Sequence, residues 1–425
     1  MIMRILLISV IALTLWNCEA KKTPHAPPSD NQIVIGVIDS IYSDNLQEQQ
    51  KFWVHVPNNL GQSKTTYTKY PVLYLLDGEA HFYSLTGMVN QLSAVNGNDL
   101  LPEMIVVGIT NNDRMRDLSP THVAEVFGDS ISSKTSGGGK NFLTFIEKEL
   151  IPHIEEKYPA SSYRTFVGHS LGGLIVIDAL VDRPEIFSNY VAIDPSLWWD
   201  NQELLEKYQD VISNTTYSNK ALYVGVANTM EEEMSIEDVV KDTTETTVHI
   251  RSILKFVNAA DSLQANGLHF KWKYYENDTH GSVPLIAEYD AIRFLFPWYS
   301  FKGADQFLKP NSNLSIEEMI SMIDVHYKLV SSHFGYESLP AESFINSLGY
   351  GFMRNNHLDK ANTFFKMNIQ NYPNSSNVYD SMGDFYLAQH DSIKALEFFN
   401  KALEVGENDY SQVKIDRLNE NLKIK

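Results

Sequence analysis

From Ile33 onward, apolar and polar positions alternate, first in IVIGVIDSIY and then in KFWVHVPNNL, with turn residues between. That period of two predicts antiparallel strands with one buried face. YPVLYLLDG and MIVVGIT are continuous apolar runs, the form taken by parallel strands covered on both faces. The period then changes. KNFLTFIEKELIPHIEEKY places Phe142, Phe145, Ile146 and Leu150 on one helical face. Next come a strand at TFVGHS, a helix from Leu171 to about Val181, and strands at NYVAIDPS and ALYVGVAN. A helix around TTVHIRSILKFVNAADSLQ and a strand at HFKWKYYEN close the series. Strands alternating with helices predict an α/β fold, a doubly wound domain with a mostly parallel sheet.

Past Trp298 the pattern changes again. SFKGADQFLKPNSN has the composition of a linker, and Ser315-Ile-Glu-Glu318 has the form of a capping box opening a helix. Gly349, Ala361 and Phe365 then recur 34 residues later as Gly383, Ala395 and Phe399, with Phe352 matched by Tyr386. That period resembles tetratricopeptide helix pairs, in which small residues sit where helices cross. Pro373 matches the motif's terminal proline, whereas Glu407 does not. The expected organisation is a leader (1–17), a tether (18–30), an α/β domain (31–302), a linker with a connecting helix (303–338) and a small all-α repeat region (339–425). The repeats read equally as a groove for a protein partner or as a packed accessory layer.

Acidic residues outnumber basic ones, 53 to 34, in a chain of 425 with a formal charge of −19. Such a surface repels phosphate backbones, which disfavours nucleic-acid binding. The opening MIMRILLISVIALTLWNCEAKK sets one Arg before an apolar run from Ile5 to Leu15, a length suited to a secretory leader rather than a span. Cys18, the only cysteine, follows that run and resembles the acylated residue of a bacterial lipoprotein, with EAKKTPHAPPSD as its spacer. An ordinary signal peptide with an incidental cysteine is the other reading. Either predicts an exported protein; the lipoprotein reading places it periplasm-facing or at an outer membrane, touching lipid only through its N-terminal anchor. Without a further cysteine it has neither a disulfide nor a thiolate metal site.

The chemistry concentrates at Gly168-His169-Ser170-Leu171-Gly172, where a strand turns into a helix. A nucleophile elbow belongs there: its strained turn lifts the serine hydroxyl above the sheet, and the residues two positions away must be small. The amide of Leu171 would face the developing oxyanion, and the loop in YLLDGEAHF offers the amide of Glu79 as second donor. Among thirteen histidines, the chain order nucleophile, acid, base selects one after Ser170. His249 falls within a helix and His269 opens a strand, whereas His280 lies in a loop just past the last strand. Two carboxylates after ALYVGVAN compete as the acid, Glu231 near the strand end and Asp242 nearer the next helix. No His/Asp cluster has ligand spacing along the chain, so no metal or organic cofactor is expected.

Five blocks, LLDGEAHF, GITNNDRMRDLSPTH, ELIPHIEEKYPASSYRTFVGHSLGG, AIDPSLWWD and YYENDTHGSVP, occur in this order. Together they resemble the esterase branch of the α/β-hydrolases over roughly residues 31 to 300. That branch includes ferric-enterobactin and ferri-bacillibactin esterases, S-formylglutathione hydrolases, feruloyl esterases and mycolyltransferases. The likeness looks closest on the siderophore-esterase side, where a carboxylate often follows Gly-x-x at the end of the acid strand; here that place is taken by Asn228. The resemblance implies an α/β-hydrolase fold, a small-molecule ester substrate such as a siderophore trilactone or a carbohydrate-linked ester, and catalysis by Ser170 and His280. It further implies an oxyanion hole at Leu171 and Glu79 and an acyl pocket near Trp198 and Trp199. An acyltransferase, or a non-catalytic scaffold serving the repeats, are the rival readings.

Overall fold

Among the described residues, eight strands carry the apolar runs: β1 (Val37–Ser43), β2 (Glu48–His55), β3 (Tyr70–Leu75), β4 (Ile105–Ile109), β5 (Ala160–His169), β6 (Asn189–Ile193), β7 (Lys220–Ala227) and β8 (Leu268–Tyr275). They form one sheet in the order β1-β2-β4-β3-β5-β6-β7-β8. β1 and β2 pair antiparallel, β2 joins β4 antiparallel, and all remaining pairs are parallel. Pattern and position agree. The continuous apolar runs β3, β4 and β6 are buried at every residue, while the edge strands β1 and β8 alternate. The computed structural model describes residues 31, 33–57, 69–126, 128–261, 266–309 and 312–423. The leader and Cys18 lie outside the described residues.

Each sheet face has its own core. On one face, helices Leu171–Asp182, Glu203–Asn214 and Val248–Asp261 bury Ile175, Leu205 and Ile253, among others. On the other, helices Gly78–Ser93 and Val283–Leu295 bury Phe82, Leu85, Ala287 and Ile292. This is the doubly wound arrangement that the alternation of strands and helices predicts. No helix among the described residues is long and apolar enough to cross a membrane.

The C-terminal region is all helical. Helices Glu342–Arg354 and Leu358–Asn371 form one pair, Ser376–Ala388 and Ser392–Val405 a second, and Asp409–Lys423 follows. The repeat positions make repeated contacts. A methyl added to Gly349 would lie 2.5 Å from the Phe365 ring, and one added to Gly383 would meet the Phe399 ring. In both pairs the glycine lets the following helix's phenylalanine approach the backbone, which is why the two residues recur together.

The segment expected as a linker is more than a tether. Helix Ile316–Phe334 sends Val330 and Phe334 into the sheet-facing core, while its Met319 and Ile323 pack among the repeat helices. Phe334 meets Tyr163 of β5 edge-on at 5.1 Å, and His333 stacks on Trp298 at 4.3 Å.

Candidate active site

β5 ends at His169, and Ser170 adopts φ 61°, ψ −120° before helix Leu171–Asp182 begins. Such a backbone costs a non-glycine residue of order 1–3 kcal/mol and persists only where neighbours over-determine it. Here they do. Ser170 donates its N–H to the Ile193 carbonyl (3.0 Å), and its own carbonyl accepts from Leu174 and Ser196 (3.0 Å each). The two elbow glycines differ in necessity: a Cβ on Gly168 would sit 2.4 Å from the Gly172 oxygen, while one on Gly172 would find nothing nearer than 3.4 Å. The Ser170 hydroxyl lies 3.3 Å from that of Ser196.

Sheet register brings a carboxylate to this turn. His169 pairs with Ile193 across β5 and β6, so Ser170 and Asp194 leave neighbouring strands at the same level. Asp194 is fully buried. Its Oδ1 accepts from the Ala227 amide (2.9 Å), and its Oδ2 accepts from His280 Nδ1 (2.5 Å) and His249 Nε2 (2.8 Å). Burial alone would raise its pKa, but the hydrogen bonds from the two imidazoles outweigh it and hold the carboxyl well below the usual carboxylate range. Asp194, His249 and His280 bring their polar atoms within 4.8 Å of one another, a cluster that spacing along the chain cannot show. Its N···O separations are those of hydrogen bonds; two ligands on a tetrahedral zinc stand roughly 3.3 Å apart.

His280 lies past β8 in a loop that is tied down. Asn228 at the end of β7 donates its amide to the Asp278 carbonyl (2.8 Å) and its side chain to the Glu276 carbonyl (2.9 Å). Ser282 Oγ closes the turn between Thr279 N and Asp278 Oδ1 (3.0 Å each). With Nδ1–H directed to Asp194, the Nε2 of His280 keeps its lone pair. The ring lies 4.4 Å from that of His169, the residue before the serine. Burial, reinforced by the His280 and His81 rings, pushes His169 down to about 4, so it adds no positive charge beside His280 at neutral pH.

The second half of the turn comes from β3. Asp77 sits at φ 52° as N-cap of helix Gly78–Ser93. It is clamped by Arg114 Nε and Nη2 (2.7 and 2.9 Å) and by Asn111 Nδ2 (2.7 Å), and Arg114 Nη2 also reaches the His169 carbonyl (3.4 Å). The amides of Glu79 and Leu171 each belong to the first turn of a helix, where no intrahelical acceptor exists. Both helix starts lie at the C-terminal ends of the adjacent strands β3 and β5, so the dipoles of both favour a developing negative charge there.

The chain has known relatives. The Esterase family model matches residues 43–278, more than half of the chain. The chain belongs to that esterase family. A ferri-bacillibactin esterase of Bacillus subtilis is 33% identical over 169 residues, 37% of this chain and 58% of that protein. A siderophore enterobactin esterase of Emericella nidulans is 33% identical over 162 residues, 35% of this chain and 54% of that protein. The chain thus spans about half the length of the curated relatives it matches. Among solved structures, an IroE-like serine hydrolase from Shewanella oneidensis superposes with a TM-score of 0.64 at 28% identity, over 79% of this chain and 99% of that one.

Within this esterase-family fold, Ser170, His280 and the amides of Leu171 and Glu79 gather at one end of the sheet. The two expected acids do not join them. Glu231 is exposed in the turn after β7. Asp242 accepts from Thr244, Thr247 (2.5 Å) and Arg251 (3.2 Å), and so clamps the start of helix Val248–Asp261. The carboxylate beside His280 is Asp194, one strand nearer Ser170. In chain order Asp194 lies between Ser170 and His280, directly after the buried run NYVAI. Trp199 also departs from expectation. It is fully buried and donates its indole N–H toward Thr121, which makes it core, while Trp198 is half-buried against the same cluster.

Proposed function

We propose that this chain is a serine carboxylic-ester hydrolase with the triad Ser170, His280 and Asp194, acting on siderophore trilactones. His280 Nε2 takes the hydroxyl proton as Ser170 Oγ bonds to the ester carbonyl carbon. The carbonyl oxygen, now negative, is held by the amides of Leu171 and Glu79. The carbon–oxygen bond to the leaving alcohol breaks, and His280 returns the proton to that alcohol. Water then repeats the sequence on the acyl-enzyme, releasing the acid and restoring the Ser170 hydroxyl. Asp194 fixes the imidazole tautomer throughout and stabilises its transient charge.

The observation that carries this reading is the strained Ser170 backbone, held by main-chain bonds between β5 and β6, beside a buried Asp194 that is hydrogen-bonded to a partly exposed His280. The substrate class is supported by the names of the relatives, a ferri-bacillibactin esterase and a siderophore enterobactin esterase. The test is hydrolysis of a ferric triscatecholate trilactone and of short p-nitrophenyl esters, with Ser170→Ala beside wild type. The proposal expects Ser170→Ala to lose at least about a thousandfold in turnover on both. Wild-type protein that is folded yet inert to every ester, and unlabelled by a fluorophosphonate, would overturn it.

A further inference from the structure

One carboxylate in this site holds two imidazoles, and the proposed mechanism uses only one. We infer that His249 is a positioning residue that holds the Asp194 carboxylate in the plane from which it orients His280. The inference rests on the triad reading above.

The hydrogen bonds at Asp194 give the reason. Oδ1 has the Ala227 amide, and Oδ2 has the two ring nitrogens. Without His249, the only donor left on Oδ2 among the described residues would be His280, the group that Asp194 must itself orient. A fully buried carboxylate with a spare lone pair and a soft terminal torsion would drift to find another donor. His249 removes that freedom. It needs no charge to do so, since a neutral ring protonated at Nε2 donates the bond. Its ring also stands edge-on to His280 at 5.2 Å, so it limits the tilt of the base as well as that of the acid.

The helix bearing His249 is anchored for this purpose. His249 is the second residue of helix Val248–Asp261. The turn leading into that helix is gathered by Asp242 through Thr244, Thr247 and Arg251, and Arg251 Nη1 also donates to the Thr244 carbonyl (2.8 Å). Thr247 is buried directly before the helix. Asp242, one of the two carboxylates that compete as the acid along the chain, thus acts one step further out. Asp242 sets the helix start, the helix sets His249, and His249 sets Asp194.

Two substitutions separate positioning from simple core filling. In His249→Gln the side-chain amide can reach as Nε2 does and keeps a donor; in His249→Phe the ring volume stays and the donor is lost. Turnover and KM would be measured for both on one ester, with thermal melts. Nitrogen-15 imidazole spectra would report the His280 tautomer whether or not an ester is turned over. The expected result for His249→Phe is a loss of at least about tenfold in kcat with KM within about twofold, and a His280 signal no longer fixed in the Nδ1–H form. His249→Gln is expected to stay within about threefold of wild type. A folded His249→Phe with wild-type kcat and tautomer would overturn the inference, as would equal losses in both variants. If His249→Phe does not fold, His249→Leu takes its place under the same criteria. An inert wild type whose spectra still change as described would sink the esterase reading and leave the positioning role standing.

Discussion

Ser170, Asp194 and His280 differ in how they are specified. Gly168 and Gly172, two positions to either side, make Ser170 conspicuous, and chain order with a place after the last apolar run does the same for His280. Asp194 becomes apparent only through register, since nothing local distinguishes it from Glu231 or Asp242 until Ile193 is known to lie opposite His169. Trp198 and Trp199 were equally opaque, because adjacent side chains take different surroundings that only packing decides. Glu288 is another residue whose state the sequence hides. It is 1% exposed on helix Val283–Leu295, its Oε1 lies 3.6 Å from His81 Nδ1, and its Oε2 has no hydrogen-bond partner among the described residues. Burial pushes its carboxyl up from 4.5 to about 8. Unfolded, the group ionises above about pH 4.5; folded, it keeps its proton until about pH 8. The native state therefore binds more protons in that window, and stability falls as pH rises through it. Glu288→Gln should melt higher than wild type at pH 9 and within a degree or so of it at pH 4.5. An unchanged difference between the two pH values would show that Glu288 is not neutral in the fold.

At the scale of elements, strand runs and helical periods were legible because burial on two faces writes continuous apolar strands and burial on one face writes alternation. The helix from Ile316 was legible too, through its capping box, which the structure contains. Its allegiance was not. A linker and a bridging helix share the same composition, and only the contacts of Val330 and Phe334 with the sheet-facing core tell them apart. Cutting the chain at about residue 302 removes those side chains and uncovers Tyr163 and Trp298. Losing one buried phenylalanine typically costs 3–5 kcal/mol. The truncated esterase region should therefore inactivate at a temperature lower by roughly 10 °C than in the full chain. Identical inactivation curves would mean that the helix belongs to the repeats alone.

Taken whole, the molecule sets its chemistry at the C-terminal ends of adjoining parallel strands. The proposed nucleophile Ser170 follows β5, the proposed acid Asp194 β6, the loop anchor Asn228 β7, and the proposed base His280 β8, while the second proposed oxyanion amide, that of Glu79, follows β3. Parallel strands make this convergence possible, since each delivers its next residue to the same edge. The account stands or falls on which carboxylate serves His280. Turnover of Asp194→Asn and Glu231→Gln, measured side by side on one p-nitrophenyl ester with folding checked by thermal melts, is the most direct test. Asp194→Asn should keep KM and lose on the order of a thousandfold in kcat or more, because the amide leaves the imidazole in the wrong tautomer, while Glu231→Gln should stay near wild type. A folded Asp194→Asn that retains wild-type kcat, or a Glu231→Gln that loses it, would contradict the triad proposed for this fold.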